Sequence, residues 1–141
     1  MDVDQDKAEI LRLYEITRRG HLEGDAGKLL AQYAQRWDDL RDGSVVGRNI
    51  DDEFRRITDM LASTRYLAWD DVNPPRIEVS ADGTMAWLLG EIRARALQTQ
   101  PDGSEREIAY RCAWLQVYAR RDGQWAAIVN APSVQIESEQ L

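Results

Sequence analysis

Glu91 and Arg93 stand two apart in the run Trp87-Leu-Leu-Gly-Glu-Ile-Arg-Ala-Arg95, and on a β-strand that spacing puts both side chains on one face. A carboxylate in an apolar hollow has its pKa raised by desolvation, toward the range where it abstracts protons near pH 7, and a neighbouring arginine opposes the rise. Glu91 is therefore either a general base or half of a structural ion pair. Asp38 and Asp39 follow Trp37 in a stretch with short-strand character, where alternation sends one carboxylate inward and the other out. Tyr14, on the apolar stripe of a helix, is either an oxyanion donor or a core tyrosine with a satisfied hydroxyl. Trp87 and Trp114 either stack on a flat ligand or fill volume. His21, just past the same helix, reads first as a helix-end group and second as a general base.

Other chemistries lack their motifs. The sequence has no G-x-x-x-x-G-K-[ST] phosphate loop, no G-x-G-x-x-G after a strand and no G-x-S-x-G elbow. One cysteine, Cys112, and one histidine cannot make an internal disulfide or a Cys/His zinc site. No metal and no cofactor are expected, so any catalysis here is cofactor-free acid-base work. A net charge of -7 argues against a nucleic-acid or anionic-membrane partner, since both are bound through excess Lys and Arg. There is no apolar run of about 18 residues, and the start, Met1-Asp-Val-Asp-Gln-Asp, is acidic where a signal peptide is basic. A soluble protein of the reducing cytoplasm is expected.

The 141 residues suit one domain, 1–141, able to bury about 70% of its unfolded surface. From Lys7 to Arg19 the positions Ile10, Leu13, Tyr14 and Thr17 follow helical spacing, with arginines and Gly20 at the end. Asp25 caps a second helix carrying Leu29, Leu30 and Tyr33 and ending near Gln35. Arg36 to Gly47 reads as two brief strands about Asp42-Gly43. A third helix follows, with Asn49 as cap and Ile50, Phe54, Ile57 and Leu61 as its stripe. Extended segments at 66–72 and 76–80 flank Asn73-Pro74-Pro75. Thr84–Gln98, Glu105–Tyr118 and the stretch after Asp122-Gly123 read as three antiparallel strands. Residues 134–141 are expected to fray.

A loop flanked by Gln100 and Glu105 pairs Leu89 with Gln116 and Glu91 with Trp114. One face then collects Trp87, Leu89, Glu91, Arg93, Arg95, Tyr110, Cys112, Trp114, Gln116 and Tyr118, and the other Leu88, Gly90, Ile92, Ala94, Ala113, Leu115 and Val117. Aromatics around a few charged and amide groups suit a ligand cavity; the small apolar face suits a subunit contact. The reverse assignment is equally open on composition. A last hairpin loop longer than two residues puts Asn130 beside Trp114, while a bare two-residue turn puts it on the other face.

Order and motif together resemble the nuclear transport factor two-like superfamily, the cone-shaped fold of ketosteroid isomerases, SnoaL-type polyketide cyclases, limonene-epoxide hydrolases and the kinase II association domain. The resemblance spans nearly the whole chain and rests on Asp42-Gly-Ser-Val-Val-Gly47 and on Arg120-Arg-Asp-Gly-Gln-Trp125 with Ser133 eight residues beyond. It implies an α+β cystatin-like cone: three helices from the N-terminal half packed on a strongly curved, mixed, mostly antiparallel sheet. Glu91-Ile92-Arg93 is similar to an association-domain strand whose arginine lines the cavity, which favours the mixed face as the inner one and places Ile128 and Asn130 there. Gln116 and Pro132 fall where that domain has two further cavity arginines. Against the isomerases, Tyr14 matches the enolate-donating tyrosine, Asp38 or Asp39 lies near the catalytic aspartate, and Trp114 falls at the second oxyanion donor.

The resemblance implies a hydrophobic small-molecule partner and a homodimer through the sheet. The first expectation is an isomerase or cyclase acting on a carbonyl compound, with Asp38 or Glu91 as base, Tyr14, Trp114 and Asn130 at the oxyanion, and Trp87, Arg93 and Gln116 lining the pocket. The alternatives are a non-catalytic binding or dimerisation module and, more weakly, an epoxide hydrolase using Arg93.

Overall fold

The computed structural model describes residues 2–140. Helix α1 (Val3–Glu23) is longer at both ends than its apolar spacing suggests, because Asp2 caps it by accepting from the Gln5 N–H and Gly24 ends it in a left-handed conformation at φ 68. After the Asp25 cap, α2 (Ala26–Leu30) packs closely against α1. A methyl group on Gly20 would stand 2.7 Å from the Leu29 nitrogen. This helix stops five residues short of expectation, and Tyr33 opens a strand instead.

Strands β1 (Tyr33–Arg41) and β2 (Ser44–Asn49) form the expected hairpin, with Asp42 and Gly43 both at positive φ as a two-residue primed turn requires. Helix α3 (Ile50–Ser63) begins where the Asn49 side chain accepts from the Asp52 N–H. Its stripe differs from the expected one: Phe54 is exposed, while Glu53 is buried because two arginines neutralise it. Strands β3 (Thr64–Val79), β4 (Met85–Thr99), β5 (Glu105–Arg121) and β6 (Gln124–Gln140) complete the chain. The extended segments at 66–72 and 76–80 are one strand whose pairing slips at Asn73–Arg76, where two prolines remove ladder donors. Residues 134–140, expected to fray, continue β6 against β5 as far as the pair Glu107 and Gln140. Leu141 lies outside the described residues.

The six strands run in the order β2-β1-β6-β5-β4-β3. Only β1 and β6 are parallel among the described pairs. The sheet is thus mixed and mostly antiparallel, as expected, and bulges in several pairings bend it toward the helices. This is the α+β cone.

The register of β4 against β5 departs from the expected one. Gln100 N donates to Ser104 O at 2.7 Å and Gly103 N to Gln100 O at 2.9 Å, closing a three-residue loop with Gly103 at φ 87. Leu89 therefore pairs with Leu115, and Glu91 with Ala113. A one-residue slip turns one strand's side chains to the opposite face. Tyr110, Cys112, Trp114, Gln116 and Tyr118 face inward as expected, but they share that face with Leu88, Gly90, Ile92 and Ala94. Trp87, Leu89, Glu91, Arg93 and Arg95 lie on the outer face.

Two packed clusters hold the inner face. Ile10, Leu13 and Tyr14 of α1 meet Ala86, Leu88, Tyr118, Trp125 and Ala127 at one end, and Trp69, Ile92, Ala94 and Cys112 pack together at the other. Trp114 touches both clusters. Its ring lies on Gly90, where an added methyl would come within 2.8 Å of the indole. Buried Asp6 accepts from Trp125 Nε1 and pairs with Arg120, tying the start of α1 to the last hairpin.

Candidate functional site

Between α1, α2, α3 and the inner face lies a cavity of about 430 Å³. Period-two alternation along β1 points Trp37, Asp39 and Arg41 into it, while Asp38 is exposed. That resolves the aspartate pair in favour of Asp39. Strand β3 adds Tyr66 and Trp69, β5 adds Tyr110, Cys112, Trp114 and Gln116, and β6 adds Asn130 and Pro132. Helix α3 closes the opening with Glu53, Arg56, Ile57 and Met60, and α1 contributes Thr17 and His21.

Asn130 reaches the inner face by a route the turn alone does not provide. The last hairpin is the tight two-residue type, with Asp122 at φ 52 and Gly123 at φ 77. Val117 pairs with Val129 and Tyr118 with Ala127, so Ile128 is an extra residue that re-phases the strand. Asn130 consequently sits opposite Gln116 rather than beside Trp114. Its amide donates to Asp39 Oδ1 at 2.9 Å.

A charged network occupies one wall. Asp39, 2% exposed, receives Arg41 Nε and Arg48 Nε on Oδ2, each at 3.2 Å. Arg48 also reaches Glu53 at 3.3 Å, and Arg56 makes two bonds to the same carboxylate at 2.7 and 2.8 Å. Three guanidiniums therefore face two carboxylates.

The remaining walls are aromatic. Tyr33 stacks on Trp37 at 4.3 Å between ring centres, and His21 lies flat on Trp69 at 3.6 Å with Tyr66 edge-on. His21 Nδ1 is 2.9 Å from the carbonyl of Thr17. A carbonyl only accepts, so Nδ1 carries the proton and Nε2 holds the lone pair. Burial lowers the His21 pKa to about 4, with the Thr17 contact opposing, and the ring is neutral at pH 7. Desolvation pushes Tyr33 up to about 12 and raises Tyr66 and Tyr110 as well, so all three are neutral phenols. Gln116, 1% exposed, has an amide nitrogen with no hydrogen-bond partner of normal geometry.

The structure separates the residues nominated from the sequence. Trp114, Gln116 and Asn130 meet in the cavity. Glu91 lies on the outer face, accepting from Asn73 at 2.6 Å and Arg111 at 3.2 Å, so its ion pair is with Arg111 rather than Arg93. Arg93 pairs with Glu137 on that same face at 2.9 Å, which leaves an epoxide-opening relay without its arginine. Trp87 is 42% exposed there. Tyr14 is buried, but its hydroxyl bonds to Asp71, which also holds Arg18 at 2.8 Å, and so points away from the cavity. Cavity residues that the sequence reading did not assign to the site include Tyr33, Arg41, Tyr66 and Trp69, while Tyr110 was placed on the mixed face and Trp37 noted only as a neighbour of the aspartates. Alternation through Trp37, Asp39 and Arg41 was the signal available for β1. Among the described residues no three His, Cys, Asp or Glu side chains are grouped to hold a metal ion, and no helix is long and apolar enough to cross a membrane.

No protein-family model matches the sequence, and no curated protein does. Solved structures do match. A candidate calcium/calmodulin-dependent protein kinase II association domain from Xanthomonas campestris is 20% identical with a TM-score of 0.60, over 92% of this chain and 88% of that one. The hexachlorocyclohexane dehydrochlorinase LinA-type3 of Novosphingobium barchaimii is 14% identical with a TM-score of 0.68, over 96% and 89%. A candidate dehydratase of the NTF2-like family from Streptomyces avermitilis is 15% identical with a TM-score of 0.67, over 94% and 97%. The chain has the nuclear transport factor two-like, cystatin-like cone fold. At these identities the likeness concerns the fold.

Proposed function

We propose that the protein binds a flat, largely apolar small molecule inside the cone. The observation that carries this reading is the cavity itself: a 430 Å³ hollow walled by Trp37, Trp69, Trp114, Tyr66 and Tyr110, with the amide of Gln116 among its few polar groups. Aromatic walls around few polar groups are the usual make-up of a ligand site. Two proteins of this fold, described as a dehydrochlorinase of hexachlorocyclohexane and a candidate dehydratase, support a small-molecule role. Titration with 2-acetylnaphthalene, followed by tryptophan fluorescence, tests it. Saturable quenching that Trp114→Leu weakens about tenfold is expected; absence of saturation across a panel of flat ketones overturns it.

Acid-base catalysis on a carbonyl compound, of the isomerase or cyclase type, is the second reading. It is favoured by the lone pair on His21 Nε2, which has no partner among the described residues. The Asp39 carboxylate is instead occupied by two guanidiniums and an amide. Deuterium exchange into the same ketones tests the reading. Exchange no faster than buffer, or unchanged in His21→Phe, rules it out.

We further propose a homodimer through the outer sheet face, where Met85, Trp87 and Leu89 stay exposed, in the reducing cytoplasm that suits a lone Cys112. A monomeric mass by light scattering at 50 μM, roughly the upper end of weak dimer affinities, would exclude the dimer.

A further inference from the structure

Arg41 differs from its neighbours in what its guanidinium does. Arg48 bonds through Nε to Asp39 and through Nη1 to Glu53, and Arg56 bonds through Nε and Nη2 to Glu53. Arg41 spends only Nε, on Asp39, and both of its terminal nitrogens are without a protein partner among the described residues. Those two nitrogens form a flat fork matching a carboxylate edge to edge.

Arg41 stands at the cavity mouth, its side chain 42% exposed. Arg41 lines it together with Trp37 and Asp39 of the same strand. On Tyr33, Tyr110 and Cys112 burial is the largest influence, raising all three, and on each the Arg41 charge acts in the opposite direction. Tyr110 and Cys112 belong to β5, one strand beyond β6, so the Arg41 charge reaches side chains on the far side of β6. At Tyr33 the Asp39 charge outweighs that of Arg41, but at Tyr110 and Cys112 no carboxylate opposes it. The chain as a whole is acidic, but at physiological salt charges beyond about 8 Å are largely screened and the local excess of one guanidinium governs.

We propose that the cavity selects an anionic ligand: a flat apolar body ending in a carboxylate that Arg41 grips through its two terminal nitrogens. The body lies against Trp37, Trp69 and Trp114, and the neutral amides of Gln116 and Asn130 add hydrogen-bonding groups of either kind. This inference rests on the small-molecule-binding reading and narrows it from any flat molecule to aromatic or fused-ring acids.

The test compares 2-naphthoate with 2-naphthamide, the same ring system with and without charge, by isothermal titration of wild type, Arg41→Gln and Arg41→Lys. The expected result is that naphthoate binds wild type about tenfold tighter than naphthamide. Arg41→Gln then removes that preference with naphthamide within about twofold of its wild-type affinity, and Arg41→Lys retains part of it. Naphthoate affinity also falls between 20 and 500 mM salt, while naphthamide affinity holds, as screening at roughly 20 to 4 Å requires. Equal affinities in wild type, or a preference that survives Arg41→Gln, overturns the anion proposal and leaves the binding reading standing. Failure of both ligands to bind wild type overturns both. Should Arg41→Gln not fold, the wild-type preference, its salt dependence and the lysine variant decide the question.

Discussion

Asn130 and Asp39 face one another across the parallel strand pair, the amide of the first donating to the carboxylate of the second at 2.9 Å. The contact joins residues 91 positions apart and is set by the bulge at Ile128. It also completes the set of donors around a buried carboxylate beside an apolar hollow. Removing one neutral donor is expected to cost less than removing the charge. Asn130→Ala should lower stability by about 1 kcal/mol. Asp39→Asn, which leaves Arg41 and Arg48 short of a counter-charge, should lower it by about 3 kcal/mol. Urea denaturation measures both, and an Asp39→Asn loss no larger than that of Asn130→Ala would mean that the charges add nothing.

His21 gives the fold a dependence on acid. Its folded pKa, about 4, lies below the ordinary 6.5, so between those values the unfolded chain takes up a proton that the folded one refuses. The stabilisation is complete above pH 6.5 and is lost as pH falls toward 4, by up to roughly 3 kcal/mol. His21→Phe keeps a ring on Trp69 and should flatten the difference in stability between pH 7 and pH 5. Equal slopes for the two proteins would show that His21 is not held neutral.

Gly90 supplies the floor on which Trp114 lies, pairing with it across the strands. A methyl group there has nowhere to go without moving the indole. Gly90→Ala is expected to cost about 1–3 kcal/mol and to shift tryptophan emission. A variant as stable as wild type with unchanged emission would show that the contact gives way freely.

Tyr14 and Glu91 make a paired control. The Tyr14 hydroxyl is bonded to Asp71 and Glu91 is on the far side of the sheet, so neither group can touch a ligand in the cone. Tyr14→Phe should cost about 1 kcal/mol of stability, and both Tyr14→Phe and Glu91→Gln should leave 2-acetylnaphthalene affinity within about twofold, less than 0.5 kcal/mol. A tenfold loss in either would return that residue to the site.

The order of elements was legible because caps and turns are local: Asp25, Asn49 and the Asp-Gly pairs each act within a few residues, and the structure places a helix start or turn at each. Face assignment depended on counting through a loop, and there one residue decided everything. Gly103 in a left-handed conformation lets Gln100 meet Ser104, and the charged half of β4 turns outward. Asn130 shows the reverse error. The expectation of an inward side chain agrees with the structure, but the cause is a bulge, which no local residue pattern announced. Tyr14 is the core tyrosine with a satisfied hydroxyl, one of its two expected readings, but its partner Asp71 is 57 positions away and no local pattern could name it.

The parallel pairing of β1 with β6 has a consequence for synthesis. Tyr33 meets Ala127, and the Ala127 nitrogen donates to Gln32 O at 2.7 Å. The chain must leave the ribosome through Asn130 before β1 finds β6. Until then β1 is joined to β2 alone, and a nascent chain halted ahead of Trp125 holds the β1-β2 hairpin and the β3-β4-β5 sheet as two pieces without the strand that unites them.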